Sequence, residues 1–174
     1  MALKKDDMYP LLIAKSDREH TGRMLTLKMH LRDSMDVMRF LLEKWVPERV
    51  CAVAGLSEDE LKRIALFLAG IHDIGKASNS FQTKILKTMP ELRERLREQV
   101  ELANLSSNEE AFSHHTMVGA AILSDMGMPD WVVSVVGAHH GKPLPENFDP
   151  EHLMKSRNYR SCFFARKEDA PLYR

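Results

Sequence analysis

Histidine and aspartate side chains near the ends of helices are the residues of this chain best suited to chemistry. His72 and Asp73 are adjacent within the run from Ile71 to Lys76, where an apolar stretch meets Gly75. Imidazole and carboxylate ligands together suit iron, manganese, cobalt, nickel or zinc better than magnesium or calcium. Further histidines lie beside or within stretches of helical periodicity, at His30, His114, His115, His139 and His140. The pattern predicts a transition-metal site assembled from several helices.

The individual parts of this pattern are weak, and it is their combination that predicts a metal site. A His-Asp dipeptide arises by chance, His30 alone fits a hydrogen-bonded core histidine, and His139-His140 alone fits a helix end favoured by the dipole. Together these groups fall at apolar faces or helix ends, where a lone histidine needs a specific partner. Because successive helical residues point about 100° apart, His72 and Asp73 can flank one metal or serve two.

Helices are the elements that must position these side chains, since alternating strand patterns are scarce. Apolar residues recur at helical spacing over 27–41. Ser57 and Glu60 predict a capping box ahead of an apolar stripe that leads to the His-Asp pair, and Gly75 is predicted to end that helix. A charged helix with one packed edge is predicted over 90–103.

Two further helices are predicted around the later histidines. Ser113 is predicted to cap a helix that Gly127 stops, and Pro129 opens the next one. Valines at helical spacing then lead to the histidine pair, and Gly141 ends the element. Both histidine motifs are therefore expected at helix C-termini, whose partial negative charge favours a nearby cation.

Bulk composition limits the classes of function. The chain has 174 residues, enough for one domain with a real core, and its 25 basic residues balance 25 acidic ones. No overall positive charge therefore attracts nucleic acid or a membrane surface. Cys51 and Cys162 form no metal-binding or disulfide motif, and no apolar stretch is long enough to span a membrane, so a cytoplasmic protein is expected. Trp45 and Trp131 lie in helical stripes and are predicted to be core residues.

Several motifs together resemble one family. The run 68–76 (Leu-Ala-Gly-Ile-His-Asp-Ile-Gly-Lys), followed by Phe81-Gln82, resembles the HD nuclease domain of the CRISPR-associated helicase-nuclease of type I systems. Segments that agree in order and approximate spacing are Ala14-Lys15-Ser16, His30-Leu31-Arg32-Asp33, Phe112-Ser113-His114 and Ala138-His139-His140-Gly141. The resemblance implies an all-α, HD-domain helical bundle that cuts single-stranded DNA with two metals. It also implies a helicase domain or subunit and a guide-RNA surveillance complex as partners, and no membrane.

Roles in the site follow from the resemblance by position. The first metal would be held by His30, His72 and Asp73, and the second by Asp73, His114, His139 and His140. The implied cofactors are two divalent transition metal ions, with Mn, Fe, Co or Ni favoured over Zn or Mg. Asp73 would bridge the metals, and Lys76 would offset negative charge on the phosphate as a second catalytic residue. His115 is expected to support the site or lie at the surface. Asp33, one turn beyond His30, either orients that imidazole or is an ordinary surface charge.

The chain departs from the family pattern near its end. The family has a further aspartate on a late apolar helix, whereas Asp149 and Asp169 lie in polar surroundings here. We therefore expect a single HD-type nuclease domain over 1–174, C-terminally incomplete, with an irregular tail over 142–174. Activity is expected to be impaired by the missing aspartate, with the second metal site firmer than the first.

Three functions are consistent with these residues. The leading one is a metal-dependent endo- or exodeoxyribonuclease of CRISPR interference, acting on single-stranded DNA. The alternatives are a nucleotide phosphohydrolase of the wider HD superfamily and an inactive, truncated HD scaffold. Local basic clusters that could hold DNA phosphates are Lys84 with Lys87, and Lys155 with Arg157 and Arg160.

Overall fold

The structure, a computed structural model, describes residues 12–15, 24–45, 48–90 and 113–155. Helices account for most of these ranges: α1 (Leu27–Lys44), α2 (Glu48–Ala54), α3 (Glu58–Ile71), a 3₁₀ turn (Ile74–Lys76), α4 (Asn79–Lys87), α5 (His115–Asp125), α6 (Asp130–Gly137) and α7 (Pro150–Lys155). The strands β1 (Ile13–Lys15) and β2 (Leu25–Thr26) pair antiparallel. The predicted all-α fold is confirmed. The helix predicted over 90–103 falls outside the described residues, apart from its first residue.

Local signals in the sequence account for most helix boundaries. The predicted capping box at α3 is confirmed, because the Ser57 hydroxyl accepts from Glu60 N and the Glu60 carboxylate accepts from Ser57 N at 2.9 Å. Gly127 follows the C-cap of α5 with a φ of +73°, as expected for a residue that stops a helix. Gly141 also has a positive φ, +77°, but it does not end α6 as predicted, because that helix already ends at Gly137. None of the described helices has the length and apolar character needed to cross a membrane.

Two further predicted boundaries beside the histidines are wrong. Helix α3 ends at Ile71 rather than at Gly75, since the backbone leaves helical geometry at Asp73 (φ −105°, ψ 20°) and continues as the 3₁₀ turn. Ser113 does not cap α5. The cap is His114, whose Nδ1 accepts from Thr116 N at 3.4 Å.

Helix α5 forms the centre of the core. Val118, Ala120 and Ile122 are at most 1% exposed, and the helix packs against α6 on one side and α7 on the other. Helix α7 lies within the segment 142–174 predicted to be irregular, and Leu153 on it joins the same core. The Asp149 carboxylate begins α7 by accepting from His152 N at 2.9 Å, which gives this aspartate a structural role.

Gln82 connects the His-Asp turn to the amino-terminal strand. Its side chain is 2% exposed; Oε1 accepts from Ile13 N at 3.1 Å, and Nε2 donates to Ile13 O at 2.9 Å and Lys76 O at 2.8 Å. Both ends of the amide are therefore satisfied, which a buried polar group requires. Gln82 thus holds β1, the 3₁₀ turn and α4 together beside the site.

Trp45 and Trp131 are not core residues as predicted. Their exposed fractions are 72% and 50%, and Val37 and Phe40 on α1 are each 59% exposed. Trp45 is the extended residue that follows α1, and Trp131 lies on α6. Helical periodicity predicts a face and does not say whether another element packs on it.

Gly75 permits the closest backbone contact in the described core. A Cβ at this position would lie 1.8 Å from His115 O and 2.5 Å from Gly119 N. The turn after Asp73 therefore packs backbone to backbone on the first turn of α5. This contact determines which α5 residues face the His-Asp pair.

We expect Gly75→Ala to lower the free energy of unfolding by about 3 kcal/mol or more, because the backbone of α5 must move to admit the methyl group. Gly127→Ala is the matched control. Nothing lies within 4 Å of its Cβ position, so only its positive φ is penalised, at about 1 to 2 kcal/mol. Urea unfolding of both variants measures the difference, and equal losses would contradict the close packing.

Candidate metal centre

The Asp73 carboxylate lies at the centre of a group of imidazoles from α1, α3, α5 and α6. Asp73 is 3% exposed. Its Oδ2 lies 2.7 Å from His30 Nε2 and 3.3 Å from His72 Nε2. Its Oδ1 lies 3.2 Å from both His115 Nε2 and His139 Nε2. Each oxygen of one carboxylate therefore faces its own pair of imidazole nitrogens.

These side chains form two groups with metal-ligand geometry, and Asp73 belongs to both. The first group is His30, His72 and Asp73, and the second is Asp73, His115, His139 and His140; the ligand atoms of each group lie within 4.8 Å of one another. In the second group His115 Nε2 is 3.0 Å from His140 Nε2. The structure thus brings together five of the predicted ligands, four histidines and one aspartate: His30, His72, Asp73, His139 and His140.

Helix ends supply most of these ligands. His72 is the C-cap of α3, His115 is the first residue of α5, and His139 lies in the turn that follows α6. His30 is the exception, since it lies inside α1, in its first turn. The side chains converge because the Gly75 contact sets α5 against the turn that carries Asp73.

Hydrogen bonds to backbone carbonyls determine the protonation of two of the imidazoles. His72 Nδ1 lies 2.8 Å from Ala69 O, and His139 Nδ1 lies 2.6 Å from Val136 O. A carbonyl oxygen only accepts, so each Nδ1 carries a proton and donates it. In the neutral ring, Nε2 then carries a lone pair that points at Asp73. A carbonyl that accepts from the far nitrogen is the usual support of a metal-bound histidine.

Two buried polar atoms of the described residues have no hydrogen-bond partner, and both lie in this site. They are Asp73 Oδ1 and His139 Nε2, which face each other at 3.2 Å. Two buried lone pairs in this arrangement cost free energy, because neither can donate to the other. A divalent cation bound by both would relieve this cost. The donor set of imidazoles and one carboxylate therefore fits a transition metal.

The electrostatics of the site keep Asp73 and His140 in the forms that bind metal. Burial raises the pKa of the Asp73 carboxyl, but contacts from His115, the other histidines and Lys76 outweigh it and hold the pKa well below its usual range. Burial, together with the neighbouring His139, lowers the pKa of His140. An ionised aspartate and a neutral imidazole are the forms that metal ligation requires.

On the Oδ2 side of Asp73, positively charged groups compete with a metal cation for the carboxylate oxygen. Lys76 Nζ lies 2.5 Å from Oδ2 and also 5.7 Å above the Phe81 ring. On the same side, the hydrogen bond to Asp73 raises the pKa of His72, which favours its protonated form. A metal at the first group must compete with both positive charges.

The structure places His115 in the second group, where the resemblance implied His114. His114 belongs to neither group among the described residues. Its Nδ1 is engaged at the helix cap with Thr116, at 2.9 Å from Oγ1, and its ring stacks beside that of His115 at 4.3 Å. A tertiary contact sets this register, because Gly119, one helical turn after His115, is the residue that meets Gly75.

We expect His115→Ala to weaken metal binding by roughly tenfold or more, since a site histidine is lost. His114→Ala is the matched control. It removes only the cap, at a cost of about 1 kcal/mol in stability, and leaves the metal affinity close to that of the wild type. Titration of both variants with Mn²⁺ or Ni²⁺ measures the difference. Stronger weakening in His114→Ala would reverse the assignment.

A His-Asp pair at the centre of a helical bundle, with histidines from several helices around it, defines an HD-type domain. The sequence profile of the family described as Cas3, HD domain, matches residues 14–170, and the chain belongs to this family. The CRISPR-associated nuclease/helicase Cas3 of Streptococcus thermophilus is 32% identical to it over 176 residues, which cover 92% of this chain and 19% of that protein. The chain thus spans about a fifth of the length of this curated relative. No solved structure matched the chain.

Proposed function

We propose that this chain is a metal-dependent nuclease that hydrolyses phosphodiester bonds of single-stranded DNA in CRISPR interference. The observation that carries the proposal is the shared carboxylate, with Oδ1 and Oδ2 of Asp73 each facing a separate histidine pair. Membership of the Cas3 HD family supports it. The helicase named in the relative supports a helicase domain or subunit as a partner. A guide-RNA surveillance complex as a second partner and a cytoplasmic location belong to the same proposal.

The proposed ligands form one site on each side of Asp73. His30 and His72 complete the first site, and His115, His139 and His140 complete the second. Manganese, iron, cobalt or nickel, rather than zinc or magnesium, are the metals in this proposal. The predominance of imidazoles disfavours magnesium, which prefers oxygen ligands.

The bound metals would supply a polarised phosphate and a water of lowered pKa, so no side chain need act as general base. Asp73 would hold its negative charge between the two sites, since its pKa is far below neutrality. Lys76 touches Oδ2, and a cation bound there would repel its ammonium. The freed ammonium could then contact a phosphate oxygen and offset developing charge.

A basic flank lies near the second site. Lys84 and Lys87 are exposed on α4. Burial lowers the pKa of His114, and the charges of the neighbouring histidines and of Lys84 add to this effect. Lysines of this kind hold DNA through phosphates without reading its sequence, and their contribution falls as salt rises. Of the predicted tail cluster, Lys155 pairs with Glu151, and the two arginines lie outside the described residues.

The test uses circular single-stranded DNA incubated with the chain and Mn²⁺ or Ni²⁺. We expect cleavage by the wild type, and none by His72→Ala or Asp73→Ala. His152 is an exposed residue of α7 and belongs to neither ligand group, so His152→Ala is the histidine control and is expected to cleave normally. Nucleotide hydrolysis without DNA cleavage would favour the HD phosphohydrolase alternative. Metal binding with neither activity would favour an inactive scaffold.

The second site is predicted to bind metal more firmly than the first. It has four candidate ligands against three, and Lys76 and a protonated His72 compete only at the first. Titration with Mn²⁺ should therefore show two phases that differ roughly tenfold or more in affinity. Lys76→Met should strengthen the weaker phase. Full and equal occupancy of both sites throughout the titration would contradict this ranking.

A further inference from the structure

An apolar groove leads to the metal centre. It has a volume of about 580 Å³ and runs between α1, α3 and α6. Val37, Leu41 and Val135 line it and are 59%, 48% and 48% exposed. His72 and His139, one from each proposed metal site, line it as well. The groove is therefore continuous with the place where a phosphodiester would be cleaved.

The chemistry of the groove excludes the phosphate backbone. Its walls are aliphatic, and the acidic residue at its edge is Asp33. A phosphate moved there would lose its hydration and face a negative charge. The part of a nucleic acid that suits an apolar slot is the face of a base, which tolerates burial and binds by stacking and packing.

We propose that this groove holds the nucleobase next to the scissile phosphate. The inference rests on the proposed nuclease function and adds a binding site for the substrate. A volume of about 580 Å³ lies within the range of roughly 300 to 1,000 Å³ typical of small-ligand pockets. The base enters between α1 and α3, and its phosphate remains at His72 and His139. Apolar packing then positions the bond to be broken without the need to read a sequence.

Asp33 adds a preference among bases. It is exposed at the groove edge, and among the described residues it has no hydrogen-bond or ion-pair partner. It does not orient His30, whose Nε2 contacts Asp73. A carboxylate accepts a hydrogen bond from the exocyclic amino group of cytosine, whereas thymine lacks that group and offers only its ring N3–H. The groove therefore favours bases with an amino group over thymine.

The experiment compares single-stranded oligonucleotides with and without one abasic nucleotide, in Mn²⁺. We expect the wild type to cut the bond beside the abasic position about tenfold more slowly than the same bond in the intact oligonucleotide. This is the factor expected from the loss of one modest apolar contact. Ala65→Phe fills the groove from α3 and replaces no proposed ligand, and it should cut all bonds slowly with no abasic effect. Val53→Phe, 90% exposed on α2, is the matched control and should retain wild-type discrimination. Urea unfolding and metal titration identify a variant that has lost its fold.

The outcomes separate this inference from the function on which it rests. Equal cleavage at intact and abasic positions by the wild type overturns the groove proposal, leaves the nuclease function standing and favours a polypeptide occupant. Discrimination that persists in Ala65→Phe also overturns it, because the base must then lie elsewhere. A wild type that binds metal and cuts no DNA overturns both. The role of Asp33 is supported if the wild type cleaves beside dC faster than beside dT and Asp33→Ala shows no such preference. The role is overturned if the ratio of the two rates is the same in Asp33→Ala as in the wild type.

Discussion

Asp73→Asn is expected to abolish metal binding at both sites and to lower single-strand cleavage by roughly a thousandfold or more, the loss typical when a central electrostatic group is removed. The side chains are nearly the same size, so the variant removes charge and keeps shape. Asp73 is the only residue shared by both ligand groups of the described chain. Its loss therefore disables both sites at once.

The control for this variant is Asp36→Asn. Asp36 lies on α1, where its side chain is 60% exposed and pairs with Arg39 on the same turn. An exposed pair of this kind contributes little to stability, so metal content and cleavage should stay at wild-type levels. Elemental analysis and cleavage rates measure both variants. If the Asp73→Asn protein still binds both metals, the Asp73 carboxylate is not the shared ligand that we propose.

Metal binding is expected to stabilise the folded chain strongly. Asp73 Oδ1 and His139 Nε2 are buried without partners, and both gain one when a cation binds. One site at 100 times its dissociation constant adds about 2.7 kcal/mol of stability. For a chain of this length that corresponds to a rise in melting temperature of roughly 5 to 10 °C.

Thermal unfolding in EDTA, Mn²⁺ and Ca²⁺ measures this effect. Mn²⁺ should raise the melting temperature, while Ca²⁺ should not, because it prefers a shell of oxygen ligands. Asp73→Asn should show no rise in either ion. A melting temperature that is the same in EDTA and Mn²⁺ for the wild type would show that the buried lone pairs are not a metal site.

The sequence predicted the parts of the site that depend on local signals. His72 and Asp73 follow a capped amphipathic helix, and His139 and His140 precede Gly141, so both motifs could be placed at helix ends. The distance of 2.7 Å between His30 and Asp73 could not be predicted this way, since it depends on how α1 packs across α3. The pairing of Gln82 with Ile13, 69 residues apart, is equally non-local.

A shift of one residue separates the sequence prediction from the structure at the start of α5. Capping preferences favour Ser113, whereas His114 fills that position through its ring nitrogen. The shift moves the histidine that faces Asp73 from His114 to His115. Two adjacent histidines offer the same chemistry, and only the tertiary contact between Gly75 and Gly119 decides between them.

The position of a shared carboxylate between two metals is tested most directly by anomalous diffraction from crystals of the chain grown with Mn²⁺ or Ni²⁺. We predict two anomalous peaks, one on each side of the Asp73 carboxylate, with the stronger peak beside His115, His139 and His140. A single peak away from Asp73, or no peak while Asp73 stays paired with Lys76, would contradict the two-metal account.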